Sequence, residues 1–286
     1  MKNSLNALVQ KIDFDFIKNS KITFSISTFL ISVIVFLFVS KGLNLGVDFT
    51  GGMIFEVKSQ QAPFNLAEIR KKMLDKDIQE ATVQFLNNHH ELLIRLKKDQ
   101  GSDKIKEIFA DQEIQYDRID YVGPQVSSEL VYKGTLATIT ALIGMFLYLF
   151  VRFHWSFAVS GVLALIHDVI LSLGFFILLG MEFNIPSIAA ILTIIGYSIN
   201  DSVVIFDRIR EYSKNRDMIN QAIKSTLTRT LLTSFTTMLA ALPLVIFGKG
   251  VLHDFSLVIL FGVFIGTYSS IFIAGPLLPL LSSRTK

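Results

Sequence analysis

The 286 residues carry 27 Lys+Arg against 24 Asp+Glu, and a net charge of +3 is too mild to argue for a nucleic-acid binder. There are no cysteines, which excludes disulfides, thiolate metal sites and a cysteine nucleophile. No Asp, Glu, Lys or Arg occurs in Ile22–Ser40, Gly134–Val151, Phe153–His167, Thr230–Gly248 or Phe255–Ser283, and windows that long need a bilayer as solvent, so a soluble single-domain enzyme is excluded.

The first apolar run, Ile22 to Val39, follows Lys2, Lys11, Lys18 and Lys21. A positive flank before an apolar stretch also describes a signal peptide. This run is longer than a signal core, and Ser40, Lys41 and Gly42 offer no small-x-small cleavage site, so an uncleaved span over 22–40 is expected. Residues 41–129 have ordinary soluble composition. Met53–Val57 reads as a strand. Asn65–Leu74 reads as a helix with Asn65 as N-cap and Glu68 at the capping-box position. Ala81–Leu86 and Glu91–Leu96 read as strands joined at Asn87-Asn88. Ser102–Ala110 reads as a second capped helix and Tyr116–Val122 as a closing strand. The order β-α-β-β-α-β predicts a small α/β domain of ferredoxin-like type.

Residues 130–281 read as five further spans, at about 134–151, 156–179, 187–207, 228–247 and 255–281, with a loop at 208–227 and a tail at 282–286. The last contains Gly275-Pro276 and Pro279, so a kink or an early end is expected. The fold class is thus a polytopic α-helical membrane protein of six spans with one ferredoxin-like outer domain. The N-terminal lysines, Arg152, the Arg208–Arg229 segment, Arg284 and Lys286 fall on one side; the two short loops opposite hold Lys249 alone. The positive side is cytoplasmic, which puts residues 1–21 and the tail inside and the α/β domain outside.

Three charges fall where lipid is expected: Asp168 in the third span, Asp201 near the inner end of the fourth and Arg229 near the start of the fifth. A charge at a helix centre costs at least about 2.5–3.5 kcal/mol and is functional by default. The plainer alternatives are an ion pair that only locks the bundle, a snorkelling arginine, and an Asp168 satisfied by His167 or a hydroxyl. Helical spacing places Thr193, Tyr197, Asn200, Asp201 and Val204 on one side, and Thr226, Arg229, Thr230, Thr233, Thr236, Thr237 and Ala240 make a second stripe. Asp201 and Arg229 both lie about 7–9 Å inside the boundary, so antiparallel neighbours would bring them to one depth. Threonine stripes also serve as plain packing faces. A carboxylate poised between pairing and dehydration can load and release a proton as an arginine moves. A potential of 100 mV supplies about 2.3 kcal/mol per charge, and one pH unit about 1.4 kcal/mol.

Other signals are weaker. Gly46-Val47-Asp48-Phe49-Thr50-Gly51-Gly52 lacks the Lys-Ser/Thr of a P-loop and reads as a tight turn into the first strand. His89-His90 reads as a solvated turn, not a metal site, and His154-Trp155 as an interface anchor. Gly262, Gly266 and Ser270, at four-residue spacing, suit close helix packing and are a candidate contact with a partner half. No nucleotide, zinc or Gly-x-Ser-x-Gly pattern is found.

At GVDFTGG directly after a first span, the chain resembles the SecD/SecF family of protein-export subunits. The resemblance continues at Val122–Ser127, Ala164–Val169, GYSINDSVVIFDRIRE from Gly196 to Glu211, Phe255–Leu257 and Ile265–Ser270. Asn200-Asp201-Ser202 and the small outer domain resemble the SecF branch. The resemblance implies a non-enzymatic half of a resistance–nodulation–division machine in the bacterial inner membrane. It would pair with SecD, assist the SecYEG channel and draw translocating preproteins outward after SecA has pushed them. It would use the proton-motive force and no cofactor. The family's functional aspartate matches Asp201 and its arginine Arg229, with Asn200 and Asp168 as weaker relay candidates and Gly46, Val47, Asp48, Phe49, Thr50, Gly51 and Gly52 as its motif. Departures are small: Thr228 precedes Arg229 where the family often has a histidine, and the loop between Asp201 and Arg229 is short. Two rival classes stand beside it. An intramembrane aspartyl protease would use Asp168 and Asp201, but Asp201 follows Ser-Ile-Asn and not Gly-x-Gly. An efflux half-pump of the same superfamily usually carries larger outer domains.

Overall fold

The structure is a computed structural model that describes residues 14–78, 81–86, 89–97, 102–110, 112–212 and 216–282. The Asn87-Asn88 turn, Lys2, Lys11, Arg284 and Lys286 lie outside the described residues. Among the described residues, six helical stretches are long and apolar enough to cross a membrane. They are α1 (Ser20–Lys41), α5 (Pro124–Arg152), α6 (Trp155–Leu179), α7 (Ile185–Glu211), α8 (Arg216–Phe247) and a last span built from α9 (Val251–Ser269), a π turn (Ser270–Ala274) and α10 (Gly275–Ser282). Between α1 and α5 lie α2 (Val47–Thr50), β1 (Gly52–Ser59), α3 (Leu66–Asp75), β2 (Ala81–Phe85), β3 (Glu91–Lys97), α4 (Ser102–Ile108) and β4 (Ile114–Val122).

The domain between α1 and α5, expected to lie outside, has the expected β-α-β-β-α-β order. Its sheet runs β2-β3-β1-β4 with every neighbour antiparallel, the ferredoxin-like arrangement. Alternate strand residues face the helices, as the two-residue strand period requires. Phe55, Val57, Leu92, Ile94 and Leu96 therefore meet Ile69 and Met73 of α3 and Ile105 and Ile108 of α4 in one core. Asn65 caps α3, its Oδ1 accepting from the Ala67 N–H at 3.0 Å. The expected capping box does not close: Glu68 pairs with Lys72 at 3.1 Å, a helical i,i+4 pair that competes for the same carboxylate.

The membrane part is centred on α6, α7 and α9, which hold most of its buried side chains. Lipid gives apolar helices no reason to associate, so close packing at small residues must do it. A side chain at Gly262 would meet Ile194 Cδ1 at 2.2 Å, and one at Gly266 would meet Ser198 Cβ at 3.0 Å. Both glycines thus join α9 to α7 inside the chain, which corrects the expectation that they face a partner. The described helices also run past the expected spans. The segment 208–227, expected as a loop, is largely helical, because α7 extends to Glu211 and α8 starts at Arg216. The last span neither stops early nor breaks at Pro276; it loosens into the π turn just before it. Pro276 has no N–H for the carbonyl of Phe272 four residues back. That carbonyl accepts from Thr23 Oγ1 of α1 at 3.3 Å.

Candidate functional site

Asp201 sits on the inward face of α7 and is 2% exposed. Its Oδ2 is buried and has no hydrogen-bond partner among the described residues, and the same holds for Ser202 Oγ and Thr230 Oγ1. Ser234 on α8 lies within electrostatic reach of this carboxylate, and its hydroxyl is engaged elsewhere. It donates to the Thr230 carbonyl at 2.8 Å, lies 2.5 Å from Thr267 Oγ1 of α9 and accepts from Tyr197 at 3.2 Å. Three helices therefore contribute hydroxyls around one carboxylate.

Arg229 does not close on Asp201. It is exposed, and among the described residues no ion pair joins the two, although Arg229 remains within Coulombic reach. The helical repeat gives the reason. Thr226, Thr230 and Ser234 form the buried face of α8, and Arg229 is one residue, about 100°, away from it. The two stripes expected from the sequence each divide in this way. On α7 Asp201 turns inward, while Thr193 and Asn200 are exposed, and Tyr197 and Val204 are half-buried; Gly196, outside the stripe, is exposed beside them. On α8 Arg229 and Thr236 are exposed, with Thr233 and Thr237 half-buried. Thr226, Thr233, Thr236 and Thr237 each donate to a carbonyl of their own helix.

Asp168 on α6 is fully buried and differently furnished. Its Oδ1 lies 3.0 Å from His167 Nδ1, and its Oδ2 accepts from Ser198 of α7 at 2.5 Å and Ser269 of α9 at 2.7 Å. His167 Nε2 is buried without a partner among the described residues. Asp168 thus lies between α6, α7 and α9 with its oxygens engaged, and Asp201 lies where α7, α8 and α9 meet, with a bare oxygen. Sequence reading missed Ser198, Ser202, Ser234, Thr267 and Ser269. Spacing was the available signal for three of them, since Ser202 follows Ser198, and Ser234 follows Thr230 of the expected stripe, at four-residue steps.

The glycine-rich motif lies at the other end of α7. The expected tight turn is a single helical turn, α2, between Gly46 and Gly51. Gly51 takes φ +70°, a left-handed value that favours glycine, and hands the chain directly to β1. Gly46 donates to the Phe183 carbonyl at 2.8 Å, and Phe183 in turn donates to the Asn44 carbonyl at 2.8 Å. A Cβ at Gly46 would stand 3.1 Å from that Phe183 oxygen. Phe49 stacks on Phe183 with ring centres 5.7 Å apart. Asp48 Oδ2 accepts from the Ile185 N–H at 3.0 Å, beside the capping box of Asn184 and Ser187.

These features define a class: a polytopic membrane protein with carboxylates inside its helix bundle and a ferredoxin-like domain seated on the helix that bears one of them. Residues 102–284 match the family described as protein export membrane protein SecD/SecF, C-terminal, and residues 36–63 match the SecD/SecF GG motif. The protein translocase subunit SecF of Rickettsia felis is 40% identical, over 98% of this chain and 96% of that one. That of Calditerrivibrio nitroreducens is 39% identical over the full length of both. The crystal structure of SecDF from Thermus thermophilus, described as a translocon-associated membrane protein, superposes with a TM-score of 0.84 at 34% identity. The match covers 96% of this chain and 39% of that one. The chain belongs to the SecD/SecF family, on its SecF side.

Proposed function

We propose that this chain is an accessory subunit of a Sec protein translocase that works with SecD and the SecYEG channel. It uses the proton-motive force to draw polypeptides outward in the late stages of export, after SecA has acted. The observation that carries the reading is the bare Oδ2 of Asp201, buried among hydroxyls at the junction of α7, α8 and α9. An oxygen with a free lone pair inside a bundle is where a proton can be taken up and released. Arg229, near but unpaired, is the charge whose approach and retreat would tip the balance. Asp168 has its oxygens engaged by His167, Ser198 and Ser269 and serves as the bolt across three helices. The protease alternative needs two carboxylates facing one water, and that engagement argues against it. The efflux alternative is disfavoured because the full-length relatives are translocase subunits.

The coupling ion is H+ and no cofactor takes part. The membrane is the bacterial inner membrane, with both termini cytoplasmic, as the lysines and arginines direct. SecD covers the exposed polar strip of Thr193, Gly196 and Asn200 on α7 and Arg229 and Thr236 on α8, because an arginine and an asparagine at that depth need a polar neighbour.

The test is export into inverted membrane vesicles holding the whole translocase, with proton and sodium gradients imposed separately. Export should rise with the proton gradient in the native protein. Asp201→Asn, which keeps size and hydrogen bonding but cannot ionise, should abolish the rise at unchanged protein level. A full response in that variant would reject the reading, and a response to sodium alone would reject H+ as the ion.

A further inference from the structure

We propose that the motif Gly46–Gly52 is a mechanical joint that couples the outer domain to the helix carrying Asp201, with Asp48, Arg95 and Glu182 as its positioning residues. The inference rests on the reading of Asp201 as the proton carrier. Three contacts from the outer part of the chain converge on the short segment between α6 and α7. Asp48 takes the Ile185 N–H and sets its negative charge against the positive end of the α7 dipole. Gly46 and Asn44 bracket Phe183 through backbone bonds, and Phe49 stacks on its ring. From the sheet itself, Arg95 of β3 reaches Glu182 at 2.6 Å, with side chains 10% and 14% exposed.

There is no slack on either side of this contact. Gly51 is followed at once by β1, which lies between β3 and β4 in the sheet. Below the contact, α7 is helical without interruption from Ile185 to Asp201, about 24 Å at the rise of an α-helix. A shift of α7 at Asp201 is therefore carried along a rod to its capped end, and from there to the sheet. The sequence separation of 137 residues between Asp48 and Ile185 means that chain connectivity does not enforce this contact. The motif's narrow geometry, with a Cβ at Gly46 only 3.1 Å from the Phe183 carbonyl oxygen, keeps the two parts in register.

The test compares variants in the assembled translocase by three readouts: protein amount, gradient-driven proton entry to the cytoplasmic side of the vesicle membrane, and gradient-dependent export. Asp48→Ala, Arg95→Glu and Glu182→Arg should each keep protein amount and proton entry but lose the export response, the signature of an uncoupled machine. Asp48→Asn keeps an acceptor for the Ile185 N–H and should retain the response. The reciprocal exchange of Arg95→Glu with Glu182→Arg should restore it. Three results overturn the proposal. Export that survives Asp48→Ala and Arg95→Glu while Asp201→Asn abolishes it would show that the joint transmits nothing, with the proton reading intact. Proton entry and export falling together with protein amount, unrelieved by the exchange, would reduce the contacts to scaffolding. Full export in Asp201→Asn would remove the underlying reading and the joint with it.

Discussion

The hydroxyl of Ser198 donates to the carboxylate of Asp168 across 2.5 Å, bonding the helix that carries Asp201 to its neighbour α6. Ser269 completes the tie from α9 at 2.7 Å. A hydrogen bond to a charged group contributes about 1.5–3 kcal/mol. We expect Asp168→Ala to lower the amount of inserted protein, because the buried Ser198 hydroxyl loses its acceptor and Ser269 is left with the Gly266 carbonyl of its own helix. Asp168→Asn should keep both the amount and gradient-driven export, since the remaining oxygen accepts from the serines and His167 can change tautomer to meet the new amide. Export lost from a stable Asp168→Asn protein would move Asp168 from bolt to relay.

Arg229 and Asp201 invite a second prediction. They share no direct ion pair among the described residues, so removing one does not strand the other as a buried partner. Arg229→Gln and the double variant with Asp201→Asn should both accumulate normally and both fail in gradient-driven export. Recovery of export in the double variant would mean that the two charges only balance each other.

Gly262 bears on packing. Gly262→Val puts branched carbons where Ile194 already stands, and overpacking of this kind costs about 1–3 kcal/mol. Reduced thermal stability in detergent is expected, with partial rescue by Ile194→Ala. Unchanged melting with loss of co-purified SecD would place this glycine on the subunit interface instead.

For topology, a cysteine at Lys71, exposed on α3, should react with an impermeant thiol reagent in intact cells, and one at Arg210, at the inner end of α7, should not. Labelling of the second but not the first would invert the orientation.

Local signals were the legible ones. The Asn65 cap, the strand alternation around Phe55 and Ile94 and the charge-free windows depend on neighbours a few residues away, and each is found in the structure. Asp201 was legible as a charge out of place. Its relation to Arg229 was not, because one residue along a helix rotates a side chain through about 100°, and the sequence does not say which face of α8 turns inward. The direction of Gly262 was hidden for the same reason: a small-residue face marks close approach without naming the neighbour. The Asp48–Ile185 bond joins positions 137 apart, beyond any reading of local spacing.

The outward-facing Arg229 also bears on the life of the newly made chain. A helix with an arginine and, on its neighbour, an asparagine turned to lipid is poorly held in the bilayer until something polar covers them. We expect such a subunit to be degraded faster while it is single than once it is joined. Its abundance should then follow the supply of SecD and not its own rate of synthesis. Pulse-chase labelling in cells depleted of SecD should show rapid turnover of the native chain and slower turnover of Arg229→Leu. A cell could keep the two halves in equal number by degradation alone, with no regulation of either gene.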